Sequence, residues 1–165
     1  MRPAAALGGL LLLAGVAGCG SGEPSGPQDV VVRAGTQEVS ASPTQACLDG
    51  EGQRYEVTPP IIEVSPDTTI RLTVPDALAE DGWSVQVFDD QLTEQLGEVE
   101  VDAGTTVFDD INSSDVVPPA FYLVVVQDAE AGCDGFSGAW PIGFIRAGGP
   151  SGGMATAPPT TPPPG

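Results

Sequence analysis

Histidine and lysine are both absent from this chain of 165 residues, and their absence removes several kinds of chemistry. Without histidine, a serine nucleophile activated by a histidine base is excluded, and without lysine, catalysis through a Schiff base is excluded. Cysteine is scarce as well, and Cys47 and Cys133 are too far apart in sequence to form a zinc motif. The composition therefore predicts a protein that is not an enzyme and that holds no cofactor or metal.

Positive charge is nearly missing. Five basic residues, all arginine, face 23 acidic residues, which gives a net charge of −18. This excludes nucleic acid as a partner, because phosphate binding needs a basic patch, and it argues against a domain that lies on anionic lipid headgroups. Two interpretations stay open, namely an electrostatic surface for a cationic partner and plain solubility in a salty exterior.

Long hydrophobic runs are absent except at residues 4–17, which follow a single arginine. The run is too short for a comfortable membrane span and has the pattern of a secretory signal peptide. Its end, Val16-Ala17-Gly18-Cys19, resembles the bacterial lipobox. That resemblance implies cleavage after residue 18 and diacylation of Cys19 with chains such as palmitate, although an ordinary signal peptide with an incidental cysteine is the alternative. The expected location is the extracytoplasmic face of the cell membrane.

Composition divides the rest of the chain into three parts. Residues 19–28 are rich in Gly, Ser and Pro and predict a flexible tether, and residues 147–165, dominated by Pro, Gly and Thr, predict a disordered tail. Residues 29–146 are long enough for one folded domain with a moderate core. With Cys19 used by lipid, Cys47 and Cys133 form an even pair in an exported domain, which predicts a disulfide.

Alternating apolar residues at short intervals predict an all-β, Ig-like antiparallel β-sandwich. Residues 76–81 are the one helical segment expected, residues 97–110 suggest a hairpin around Gly104, and Pro141 suggests an edge strand or a bulge. Trp140 is expected in the core. The pattern predicts the following further core residues: Ile70, Leu72, Val74, Trp83, Val85, Leu123 and Val125.

Carboxylates are the remaining candidates for chemistry. Asp89-Asp90 and Asp109-Asp110 are adjacent pairs, but neighbours in a strand point to opposite faces, so turn and capping roles are expected for them. Asp128, Glu130 and Asp134 share one acidic segment and are weak candidates for Ca²⁺ ligands, without the spacing of an EF-hand.

The segments "ASPTQACLDG" and "IEVSPDTTIRLTVPDALAEDGWSVQVF" resemble the DUF2771 family of actinobacterial lipoproteins of unknown function. The resemblance covers residues 29–146. It implies a lipid-type cysteine and an alternating strand followed by a helical turn and a tryptophan, positions that Val74-Pro75 and Trp83 fill here. It implies no activity.

The function expected from these features is that of a lipid-anchored envelope protein, a non-enzymatic binding or structural module. Its partners are the membrane, through the lipid anchor, and an unidentified envelope protein or glycan. An accessory protein that binds a small ligand or Ca²⁺ and a carboxylate-dependent hydrolase are the alternatives. An apolar surface patch or an available strand edge would favour the binding module.

Overall fold

The computed structural model describes residues 26–48, 50–127, 133 and 137–148, and it is almost entirely β-structure. The predicted tether and tail lie mostly outside these residues. The elements, in chain order, are β1 (Val30–Ala34), β2 (Gln37–Ala41), β3 (Gln45–Leu48), β4 (Glu51–Arg54), β5 (Ile61–Val64), β6 (Thr69–Thr73), α1 (Asp76–Asp81), β7 (Trp83–Asp89), β8 (Gln95–Val101), β9 (Val107–Asn112), β10 (Ala120–Gln127) and β11 (Gly138–Arg146). Within the described ranges, no helix has the length and apolar character that crossing a membrane requires.

Two sheets pack face to face, which confirms the predicted sandwich. The small sheet has four strands in the order β2-β1-β6-β9, and the large sheet has seven, with β4-β3-β11-β10-β7-β8 as its main path. All described strand pairs are antiparallel except the pair of β5 with the end of β11, which is parallel. Strand β8 therefore ends the large sheet on one side and β9 ends the small sheet on one side, and the two strands follow one another in the chain.

The core lies between the sheets and holds the predicted residues. Each of the seven alternating residues, and Trp140 with them, is buried. The Trp83 ring meets Phe108 edge-on, with ring centroids 6.2 Å apart, and its indole Nε1 donates to the Thr105 carbonyl at 2.9 Å. The ring contact joins β7 of the large sheet to β9 of the small sheet. The hydrogen bond joins β7 to the turn before β9 and gives the buried indole N–H the partner that it needs.

The two strands predicted within residues 97–110 are present as β8 and β9, but the predicted hairpin between them is wrong. Strands β8 and β9 do not pair with each other: β8 pairs with β7, and β9 pairs with β6 in the opposite sheet. The connection crosses between the sheets, where Gly104 has φ 82° and its N–H donates to Ala79 of α1 at 2.7 Å. Strand β8 buries Val101 and strand β9 buries Ile111, each in its own sheet, so the two strands contribute to opposite layers of the sandwich.

The prediction of an edge strand or bulge at Pro141 is also wrong, because β11 is central. It has β10 on one side, while its other side is shared by β3, at Ala139, and by β5, from Gly143 onward. Pro141 lies between those two pairings, so its missing N–H costs no ladder hydrogen bond there. The hairpin of β3 and β4 has no clear alternation, and the sequence pattern does not predict it.

The predicted disulfide between Cys47 and Cys133 is present, with Cα atoms 6.1 Å apart. Cys47 belongs to β3, which has a single residue pair with β11, Gln45 with Ala139. The disulfide therefore fastens the β3–β4 hairpin to the segment between β10 and β11.

Candidate functional site

An apolar groove opens along the side of the sandwich where β8 and β9 end the two sheets. Its volume is about 410 Å³. Ile111 and Val116, both buried, belong to its lining, and the exposed Val117 projects from the loop that follows β9. The full lining consists of Val87, Leu96, Gly97, Val99, Asp110, Ile111, Asp115, Val116, Val117 and Pro118.

The groove exists because the inner face of β8 is left partly uncovered. Val99 pairs with the fully buried Val85, so it points to the inside of the sandwich, yet it is 40% exposed. The register between β7 and β8 shifts at Leu96, which lies between the paired residues Gln95 and Gly97 and is 42% exposed. The small sheet ends at β9 and does not extend far enough to cover these side chains.

Arg146 holds the loop that forms the opposite wall. Its guanidinium donates to the carbonyls of Ser113 at 2.6 Å, Val116 at 2.8 Å and Val117 at 3.1 Å, and its backbone N–H donates to Pro119 at 2.7 Å. Among the described residues it forms no ion pair. A guanidinium that binds several carbonyls of one loop fixes the shape of that loop, because charge-assisted hydrogen bonds are stronger than those between neutral groups.

The polar groups of the groove are acidic. Asp115 accepts from the backbone N–H of Asn112 at 2.8 Å and so helps to shape the loop, while Asp110 stands on β9 at the lining. No arginine of the described residues lines the groove. An occupant therefore meets an apolar lining next to negative charge.

The outer face of β8 adds a second group of carboxylates. Glu98 accepts hydrogen bonds from Ser84 and Gln86, each at 3.0 Å, and from Gln95 at 3.2 Å. These donors, Gln86 first and then Ser84, lower the pKa of Glu98. Glu98 is thereby held ionised and in place, with the exposed Glu100 one pair further along the same face.

The two predicted carboxylate pairs have different fates. Asp89 caps the turn between β7 and β8, as expected, by accepting from the Thr93 hydroxyl at 2.8 Å and from the Thr93 N–H at 2.7 Å. Asp109 and Asp110 lie inside β9 and not at its end, which corrects the expectation of a capping role. Asp109 bonds to Arg71 at 2.6 Å, and a register irregularity in β9 leaves Asp110 to line the groove.

The other predicted site residues contribute nothing to the groove. Cys19 and the acidic candidates Asp128, Glu130 and Asp134 lie outside the described residues. In the described part of the chain, no cluster of three or more cysteine, aspartate and glutamate side chains is arranged to hold a metal ion. The disulfide of Cys47 is on β3, at the other end of the large sheet from β8.

Sequence reasoning missed the groove. The alternation of Gly97, Val99 and Val101 with two glutamates indicates a strand with one apolar face, but not whether a second sheet covers that face. The strongest available indication was the apolar "VVPP" of residues 116–119 inside a loop, where apolar side chains are less expected.

Comparison with known proteins gives a family without an activity. No match was found among curated proteins or among solved structures. A family model described as "Protein of unknown function (DUF2771)" matches residues 23–141, which include the whole chain from β1 to the middle of β11 and thus both strands that border the groove. The chain belongs to the DUF2771 family of proteins of unknown function.

Proposed function

We propose that this protein is a non-enzymatic binding module, anchored by lipid at the extracytoplasmic face of the membrane, which holds its partner in the groove between β8 and β9. The observation that carries the proposal is the groove itself, an apolar concavity bordered by the free edges of two sheets. Its volume of about 410 Å³ falls in the range of ligand-binding clefts.

Exposure of the apolar lining supports a binding role. Val117 is 89% exposed, and Leu96 and Val99 lie opposite it with about two fifths of their surface in solvent. Apolar side chains gathered at one concavity mark interaction sites more often than scattered ones do. Removing this apolar surface from water is favourable by about 25 cal/mol per Å², before the entropic costs of association.

A test of the groove compares two double variants of the full-length chain by binding of the neutral apolar dye Nile red. Leu96→Asp with Val117→Asp should weaken dye binding at least about tenfold, because it places charge among the apolar lining. The control, Val57→Asp with Ile145→Asp, changes two exposed apolar residues that do not line the groove. Equal binding by both double variants would remove the groove as the site.

The anchor is supported by the lipobox-like Val16-Ala17-Gly18-Cys19 and by the disulfide, which suits an oxidising compartment. Metabolic labelling with an alkyne fatty acid should mark the wild type and leave Cys19→Ser unlabelled. Cys47→Ser is the control, because it removes a cysteine outside the lipobox-like segment and should keep the label. Labelling of Cys19→Ser at the wild-type level would disprove the lipid anchor.

A further inference from the structure

We infer that the occupant of the groove is an extended segment of a partner protein, in which apolar and cationic residues alternate and which adds as a strand to the free edge of β8. This inference rests on the proposed function and names the partner chemistry of that same groove. It is carried by three features of β8, namely its unpaired edge, its apolar inner face and its acidic outer face.

The edge of β8 is available for pairing. Among the described strands β8 pairs with β7 alone, although it is seven residues long. In an antiparallel ladder every second residue directs its N–H and C=O away from its partner, so one side of β8 presents a row of unpaired backbone groups. Such a row is a template for an added strand.

The two faces of β8 then define the side chains of the added strand. Successive side chains of a strand point to opposite faces. One set would lie over the groove, next to Val99, Leu96 and Val117, and apolar side chains fit there. The other set would lie on the outer face beside Glu98 and Glu100, where lysine or arginine forms favourable cross-strand pairs.

Charge selects this partner over the other candidates for an open edge. A second copy of the chain carries the same net charge of −18, and its β8 would bring further glutamates against Glu98 and Glu100. Like charges directly opposite each other are destabilising, so the edge is protected from self-pairing. Anionic lipid is disfavoured by the same carboxylates, and by Asp110 and Asp115 at the groove.

Glu98 is prepared for this role before any partner arrives. Its three hydrogen bonds to Ser84, Gln86 and Gln95 hold the carboxylate in one position, and they lower its pKa. A charge that is already ordered loses less entropy on binding than a free side chain would.

The experiment uses a synthetic heptapeptide of alternating lysine and valine, titrated into the full-length protein and followed by NMR and fluorescence anisotropy. Binding should shift the amides of β8 and of residues 113–118, and it should weaken with added salt. Two control peptides have glutamate in place of lysine or carry N-methyl groups on alternate residues. Both should bind at least about tenfold more weakly, the first by repulsion and the second because it cannot pair with the edge.

A protein variant tests the same contact from the other side. Glu100→Lys should weaken the lysine peptide by roughly tenfold, and Glu51→Lys, the same charge change on β4 at the opposite edge of the sheet, by less than about twofold. Equal effects of the two variants would assign the attraction to net charge and overturn the inference.

The outcomes separate the inference from the proposed function. Nile red binding at the groove without heptapeptide binding overturns the added strand and leaves the binding module standing. Failure of both probes overturns both. Equal binding of the N-methylated peptide overturns strand addition, and equal binding of the glutamate peptide overturns the cationic partner.

Discussion

At the scale of single residues, Gly138 is the described glycine with the least room for a side chain. A Cβ added there would lie 2.6 Å from Cζ3 and 2.7 Å from Cη2 of Trp140, two residues along the same face of β11. Trp140 is buried, and its Nε1 donates to the Gln28 carbonyl at 3.0 Å, which fastens the start of the folded domain. The indole therefore cannot move aside without losing a hydrogen bond and core packing.

Gly138→Ala should destabilise the protein by about 1–3 kcal/mol, the usual range for overpacking a core. Urea unfolding followed by tryptophan fluorescence measures this. Gly97→Ala is the matched control, since no atom lies within 4 Å of its Cβ position, and it should be neutral or slightly stabilising. Equal loss from both variants would show that strand glycines matter here through the backbone and not through Trp140.

At the scale of elements, the turn between β7 and β8 depends on an ionised carboxylate. The Thr93 hydroxyl and the N–H groups of Thr93 and Glu94 donate to Asp89, with distances of 2.7–3.1 Å, and they lower its pKa, the Thr93 hydroxyl most of all. Because the folded-state pKa is depressed, the stabilisation is present above the unfolded pKa of about 3.9 and is lost as pH falls through the folded value.

Asp89→Asn should therefore be less stable than wild type at about pH 7, and the gap should close as pH falls through the depressed folded-state pKa of Asp89, where both side chains become neutral. Chemical denaturation at a series of pH values provides the measurement. Asp90→Asn, one residue further on, is the matched control, because it removes one charge and leaves the Thr93 and Glu94 contacts of Asp89 in place. A gap between Asp89→Asn and wild type that persists unchanged into acid would contradict a charge-dependent cap.

The loop after β9 depends on the hydrogen bonds that it accepts from Arg146. Arg146→Met should free the carbonyls of Ser113, Val116 and Val117, and it should cost roughly 1–3 kcal/mol because partly buried acceptors lose a charged donor. Hydrogen exchange of residues 112–118 should accelerate, and Nile red binding should weaken with it. Arg33→Met, which removes an exposed ion pair with Glu38 on β1 and β2, should change neither.

The strands that the sequence predicts correctly are those whose own residues show a clear apolar pattern. Alternation located β6 and β7 and placed Ile70 and Val85 in the core, and a continuous apolar run located β10 with Leu123. Pairing between strands depends on distant partners, so the β8–β9 crossover and the central place of β11 did not follow from local pattern. The groove is a further step removed, because it arises where one sheet ends and leaves an alternating strand uncovered.

At the scale of the whole molecule, the cysteine pair connects parts of the chain that the sheets hold weakly. Cys47 and Cys133 are 86 residues apart in sequence, and β3 adds only one residue pair to β11. Outside this pair, Thr44 donates its N–H to the Ala139 carbonyl at 2.9 Å. Strand β4 is exposed along its whole length, and within β3 only Ala46 is fully buried, so apolar burial contributes little to the docking of the hairpin.

Reduction or mutation of the disulfide should therefore lower stability and release the hairpin first. In the chain-entropy treatment, closing a loop of this length stabilises the fold by about 4–5 kcal/mol, and most of that would be lost. Cys47→Ser and Cys133→Ser should lower the melting temperature equally, and the double variant should be no worse than either. Hydrogen exchange should rise in residues 45–54 before it rises in β7 and β10, whose partners lie on both sides.

Wild type treated with a reductant is the control, because it breaks the same bond without changing a side chain, and its melting temperature should match that of the serine variants. Losses that add in the double variant would mean that each cysteine acts through its own packing. Quantitative free thiols at Cys47 and Cys133 in unreduced protein from its native source would contradict the bridge. Since β3 and β4 lie across the large sheet from β8, peptide binding at the groove should survive reduction as long as the core of the sandwich remains folded.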